Sequence, residues 1–250
     1  MPVTLMDTDT FTQANGGVVA KTLTYTVPSG LSRYILLIIA ESAGTNAVVT
    51  GLPTIDDGLG GGAVAMDLLF SFPATTNTNR QWVWGADIAD AVSGTVSIVL
   101  TRDTTAETYA GIVASFDNVD PAAPNQTAST NTGANTTPAQ LSGAAAFVPT
   151  TASEDLVLIL ISHSDGATCV ATNAGDGTEQ VSVSELAGST FRDQTLILAT
   201  SIGDASVVPN YTMSATGGTL KWRCVVLALN YLAPAGGGGG GIVTLMDHYN

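Results

Sequence analysis

Tyr34-Ile-Leu-Leu-Ile-Ile-Ala-Glu-Ser-Ala-Gly44 decides the fold of this chain. An uninterrupted apolar run rich in isoleucine, too short for a buried helix and closed by a glycine turn, reads as a β-strand covered on both faces. Leu156-Val-Leu-Ile-Leu-Ile-Ser-His-Ser-Asp-Gly166 follows the same pattern without a gap. A second matching pair is Tyr109-Ala-Gly-Ile-Val-Ala-Ser-Phe-Asp-Asn-Val-Asp-Pro121 and Trp222-Arg-Cys-Val-Val-Leu-Ala-Leu-Asn-Tyr-Leu-Ala-Pro234, which agree at their aromatic, apolar and proline positions. All four runs are expected as central strands, because a solvent-facing edge would not tolerate apolar residues on both sides.

Other strands fall between these anchors. Lys21 to Val27, Trp82 to Ile88 and Thr95 to Thr101 alternate in the first half, and Thr195 to Ser201, Val207 to Met213 and Thr219 to Leu229 complete the second. Turns rich in Gly, Asn and Asp separate them. No convincing helical period occurs, so the expected class is all-β, a jelly-roll-like antiparallel β-sandwich with extended N- and C-terminal arms. The expected organisation is an arm over 1–20, one sandwich over 21–234 with similar halves at 33–121 and 154–234, and a glycine tether with a second arm over 235–250. The matching segments are expected to be sheet-mates in one pseudo-symmetric core. Duplication and two strands doing the same job both account for the matches. Pro121 to Pro138, rich in Thr, Asn, Ala and Pro, reads as a long surface connection.

The chain also ends almost as it begins. Val3-Thr4-Leu5-Met6-Asp7 recurs as Val243-Thr244-Leu245-Met246-Asp247, beyond the six glycines Gly236 to Gly241. Both copies alternate as strands do, Val and Leu on one face, Thr and Met on the other, and both suit addition to a sheet edge. Val3, Leu5, Met6, Val243, Leu245 and Met246 are therefore the candidate assembly residues, gripping further copies of the chain.

Composition narrows the function classes. Of the 250 residues 45% are hydrophobic and only 11% charged, so the core is large and the polar surface rests on Thr, Ser, Asn and Gln. A net charge of −14 repels phosphate backbones and anionic lipid, and the seven basic residues form no stripe, so neither nucleic acid nor membrane is expected as a partner. MPVTLMDTDT has neither the basic nor the apolar segment of a signal peptide, which places synthesis in the host cytoplasm.

Candidate chemistry is sparse. His163 and His248 are the only histidines, too few and too scattered for a histidine-based triad or zinc centre. Asp56-Asp57-Gly58, Asp165-Gly166 and Asp176-Gly177 lack EF-hand spacing and read as turns. Gly58 to Gly62 lacks the lysine of a phosphate loop. Trp82 and Trp84 share a strand face, and are expected in the core, with a glycan-binding platform as the alternative. Cys169 and Cys224 make no metal spacing and read as small buried hydrophobes, with a disulfide between them left open. The sequons at Asn125, Asn135 and Asn210 carry no meaning without secretion. No catalytic residue, metal ligand or cofactor site is assigned, and an enzyme is the least expected class.

The order Arg33 to Thr45, Trp82-Val-Trp84, Gly94-Thr-Val-Ser-Ile-Val-Leu-Thr101 and Gly111 to Pro121 resembles a β-sandwich module of bacterial surface proteins and tailed-phage structural proteins. The resemblance spans roughly 30–234, through strand patterning. It implies a jelly-roll-like sandwich and supplies no catalytic residues to carry over. With the arms, the resulting expectation is a structural protein at the virion surface of a tailed phage, a capsid decoration or cement protein bound to copies of itself and to a major capsid or other virion protein. The alternative is a carbohydrate-binding or adhesive module of a tail fibre or cell-surface filament.

Overall fold

A computed structural model describes residues 2–13, 20–43, 51–56, 58, 60–72, 79–89, 94–101, 107–124, 129–135, 139–140, 153–165, 169–173, 177–185, 193–202, 211–215 and 220–233. All regular structure among them is β. The first half holds β1 (Thr4–Gln13), β2 (Ala20–Val27), β3 (Arg33–Ala43), β4 (Thr54–Asp56), β5 (Val64–Ala65), β6 (Asp67–Phe72), β7 (Asn79–Ile88), β8 (Gly94–Thr101) and β9 (Glu107–Asp117). The second holds β10 (Ser129–Asn135), β11 (Ala139–Gln140), β12 (Leu156–Asp165), β13 (Cys169–Asn173), β14 (Thr178–Glu185), β15 (Asp193–Ile202), β16 (Tyr211–Ala215) and β17 (Leu220–Leu229).

These strands form four antiparallel sheets. The first half makes β1-β9-β3-β7-β6 and β2-β8-β4-β5, and the second makes β10-β17-β12-β15-β14 and β11-β16-β13. The four apolar runs occupy interior positions, as two-sided burial requires. β3 and β12 are the middle strands of their five-stranded sheets, flanked by β9 and β17.

Alternation along β3 divides its side chains between two cores. Leu36 and Ile38 join Leu158, Leu160, Val225 and Leu227 in a cluster that draws on both five-stranded sheets. Ile35, Leu37 and Ile39 enter a second cluster with Leu23, Val96 and Ile98 of the four-stranded sheet. The first five-stranded sheet is thus a middle layer, with the four-stranded sheet on one face and the second half's five-stranded sheet on the other. The expectation of sheet-mates is corrected accordingly. β3 and β12 lie in different sheets and meet face to face, because a two-sided apolar run needs a cover on each face and says nothing of its lateral neighbours.

The two halves correspond in register as well as order. Tyr34 stands opposite Phe116 and Glu41 opposite Tyr109 in the first half, as Leu156 stands opposite Leu229 and His163 opposite Trp222 in the second. β6 bulges against β7 between Leu68 and Phe70, and β14 bulges against β15 between Glu179 and Val181. Under the alignment that superposes β3 on β12 these bulges fall at the same place. A bulge is a local departure from pairing, so its recurrence goes beyond shared strand composition. The expected surface connection over Pro121 to Pro138 is also corrected in part, since β10 lies within it and pairs with β17.

Candidate functional site

The terminal repeat is the feature that most directly bears on function, and its first copy is placed in full. β1 runs antiparallel along β9, from Thr4 opposite Asp117 to Gln13 opposite Tyr109. Val3, 3% exposed, sits in the core shared by the two halves, and its amide donates to the Glu154 carbonyl at 2.8 Å. Leu5 packs against the same core. Met6 is the extra residue of a bulge between Leu5 and Asp7, and its Cε reaches Gly30, where a Cβ would lie only 2.8 Å away. Within the expected arm over 1–20, residues 4–13 are an edge strand of the first five-stranded sheet, because Val3 and Leu5 have apolar surface within their own chain to cover.

Further along β1 the Phe11 ring covers Gly111, its direct partner on β9, and meets Tyr109 edge-on with ring centroids 5.9 Å apart. The Lys21 ammonium lies over both rings and donates to the Thr12 carbonyl at 2.7 Å. Tyr109 donates its hydroxyl hydrogen to Gln13 Oε1 at 2.9 Å. β1 is thus held by apolar contacts at its start and by an aromatic and polar group at its end.

Asn118 ties this strand to the end of the second half. It adopts a left-handed φ of 61°, which asparagine tolerates better than most residues. Its Nδ2 donates to the Pro2 carbonyl at 3.2 Å, and its own carbonyl accepts from the Leu232 amide at 3.0 Å. Beside it, Val119 bridges Tyr231, whose amide donates to buried Asp155 at 2.7 Å. The start of β1 and the stretch just after β17 therefore meet at one residue. Val243, Leu245 and Met246, in the second copy, lie outside the described residues, as does His248.

The remaining candidates are placed as follows. Trp82 and Trp84 are 7% and 3% exposed, with ring centroids 6.1 Å apart inside the cluster between the first two sheets, and so present no platform to a sugar. Cys224 is a free thiol, 1% exposed, whose pKa burial pushes up to about 12. Cys169 is in β13 and His163 in β12, in different sheets. Asp56 accepts from the Gly58 amide at 2.9 Å, the hydrogen bond of a turn-forming aspartate. Among the described residues no group of three or more His, Cys, Asp or Glu is arranged to hold a metal ion. Sequence reading missed Asn118, whose only advance signal was the Asp-Asn pair at the end of a buried strand.

No family model, no curated protein and no solved structure matches the chain significantly. The resemblance drawn from the sequence thus rests on its strand patterning.

Proposed function

We propose that this chain is a structural virion protein of a tailed phage, a capsid decoration protein, in which each half is a jelly-roll-like sandwich and copies are locked together through the second VTLMD segment. One observation carries the reading. The sequence repeated at 243–247 is the one that, at 3–7, docks as an antiparallel strand beside β9 with Val3 and Leu5 directed to the core. An identical pentapeptide has the chemistry to fill the same slot, with main-chain pairing supplying affinity and alternate side chains fixing register. The chain passes Pro2 at Leu232, and the stretch from there to Val243 extends to at most about 40 Å, enough to reach an adjacent copy, where the second segment takes the slot by displacing that copy's own residues 3–7.

The jelly-roll reading is supported by strand order. Counting β5 and β6 as one bent strand that belongs to both sheets, the first half pairs its eight strands as 1-8-3-6-5 in one sheet and 2-7-4-5 in the other. That order supports a two-sheet, double Greek-key arrangement of the kind common among viral capsid and lectin domains. The second half follows the same order wherever its strands are described.

The test compares the full chain with a truncation after Pro234 and with Leu245→Asp, by light-scattering mass and by binding to shells assembled without it. Both variants should fold with unchanged circular dichroism and lose self-association or shell attachment. Parent-like assembly by both would defeat the proposal.

A further inference from the structure

A group of oxygens near the start of β3 has no role in the packing or in the terminal slot. Tyr34 is 2% exposed, and its hydroxyl meets no hydrogen-bond partner among the described residues. Its ring runs across β7 so that the hydroxyl lies over Gly85, where a Cβ would be 2.1 Å from the oxygen. Asp67 on β6 stands directly opposite Gly85, and Asp87, two residues along β7 on the same face, stands directly opposite Tyr34. The phenol oxygen is thereby flanked by two carboxylates from neighbouring strands.

Among the described residues no base offsets this charge. Arg33, next in sequence, donates instead to the carbonyls of Pro28 and Ala89. Burial first, then Asp67 and Asp120, raises the Asp87 pKa, and burial followed by Asp87 and Asp67 holds the Tyr34 phenol well above its usual range. Asp67 and Asp87 both reach solvent, so an ion has access to them. Two carboxylates and a buried neutral hydroxyl, all oxygen donors, form a ligand set suited to a hard divalent cation.

We propose that Asp67, Asp87 and the Tyr34 hydroxyl bind a calcium ion on the first five-stranded sheet. The ion relieves the repulsion between the two carboxylates and gives the phenol oxygen a partner while Tyr34 keeps its proton. With two carboxylates the site is weak, water completes the shell, and the dissociation constant falls at about 10⁻⁴ to 10⁻³ M. The site ties β6 to β3 across β7, three strands of one sheet.

The test is calcium chloride titrated into the chelator-treated full chain, followed by calorimetry and by melting temperature. The expected result is one site per chain, weakened at least about tenfold by Asp67→Asn and by Asp87→Asn and several-fold by Tyr34→Phe, a change that leaves the ring over Gly85. Glu179→Gln, which removes an exposed carboxylate on β14, should bind as the parent does. If the parent's melting temperature is unmoved by millimolar calcium, or if both asparagine variants bind like Glu179→Gln, the ion is only a counterion to an acidic surface and the proposal fails. Variants of unchanged circular dichroism carry the comparison. Where one misfolds, the other with the parent's calcium-dependent melting shift decides it.

Discussion

Phe11 lies with its ring directly over Gly111, so close that a Cβ on the glycine would fall 2.0 Å from the ring's Cζ. The two residues are register partners on β1 and β9, and the ring covers backbone that glycine leaves bare. Gly111→Ala should therefore displace the ring and loosen β1, at a cost of about 1–3 kcal/mol. Urea unfolding measures this. In a double-mutant cycle with Phe11→Leu, the loss from Gly111→Ala should shrink, since the colliding ring is gone.

Asn118 makes a second prediction. Asn118→Val forces a β-branched residue to a φ of 61° and removes the bond to Pro2, and should cost about 1–3 kcal/mol. Asn118→Gly keeps the backbone at ease and loses the side-chain bond, so it should cost about 1 kcal/mol or less. Amide hydrogen exchange should report the difference at the start of β1, where Val3 donates to Glu154.

Asp87 gives a pH dependence with a definite sign. Its pKa is raised in the folded chain, by burial first, so the ionised group opposes folding. The stability linked to it is present in acid, below its unfolded pKa of about 3.9, and is lost as pH rises through the higher folded value. In chelator at neutral pH, Asp87→Asn should melt above the parent, and the gap should close as the pH falls to about 4. Millimolar calcium should narrow the gap from the other side by stabilising the parent alone.

Cys224 should be silent to thiol reagents. In a Cys169→Ser background, the one remaining thiol, buried and held near pKa 12, should not react at about pH 8, where an ordinary cysteine is partly thiolate. Reaction should appear only with denaturant. Fast labelling of the native protein would show that β17 opens readily.

The strands legible in the sequence are those whose side chains leave no choice. Tyr34 to Ala40 and Leu156 to Ile161 are apolar on both faces, and β2 alternates cleanly from Lys21 to Val27. Strands at sheet edges were hidden because one face is wet and their pairing is irregular. β1 mixes threonine and aspartate with a bulge at Met6, and β6 and β14 each carry a bulge that breaks the two-residue period. β10 reads as a linker, being built of Ser, Thr, Asn, Gly and Ala. The Tyr34, Asp67 and Asp87 grouping has no motif at all. Only the register of β3, β7 and β6 brings these residues together. The terminal repeat was visible as letters, yet its first copy's attachment to its own β9 depended on the apolar surface beside Phe116 and Val119, which no local pattern announces.

The meeting of Pro2 and Leu232 at Asn118 has a mechanical consequence. A chain pulled at its first residue, while held at the end of the second half, bears the load at a single corner of the molecule. Force then reaches the β1–β9 ladder from its Thr4 and Asp117 end and opens it one pair at a time, as a zipper, instead of shearing every bond together. Such a strand yields to small forces and re-forms readily, so a chain loaded at that corner gives way at its edge strand and recovers without unfolding the layers beneath.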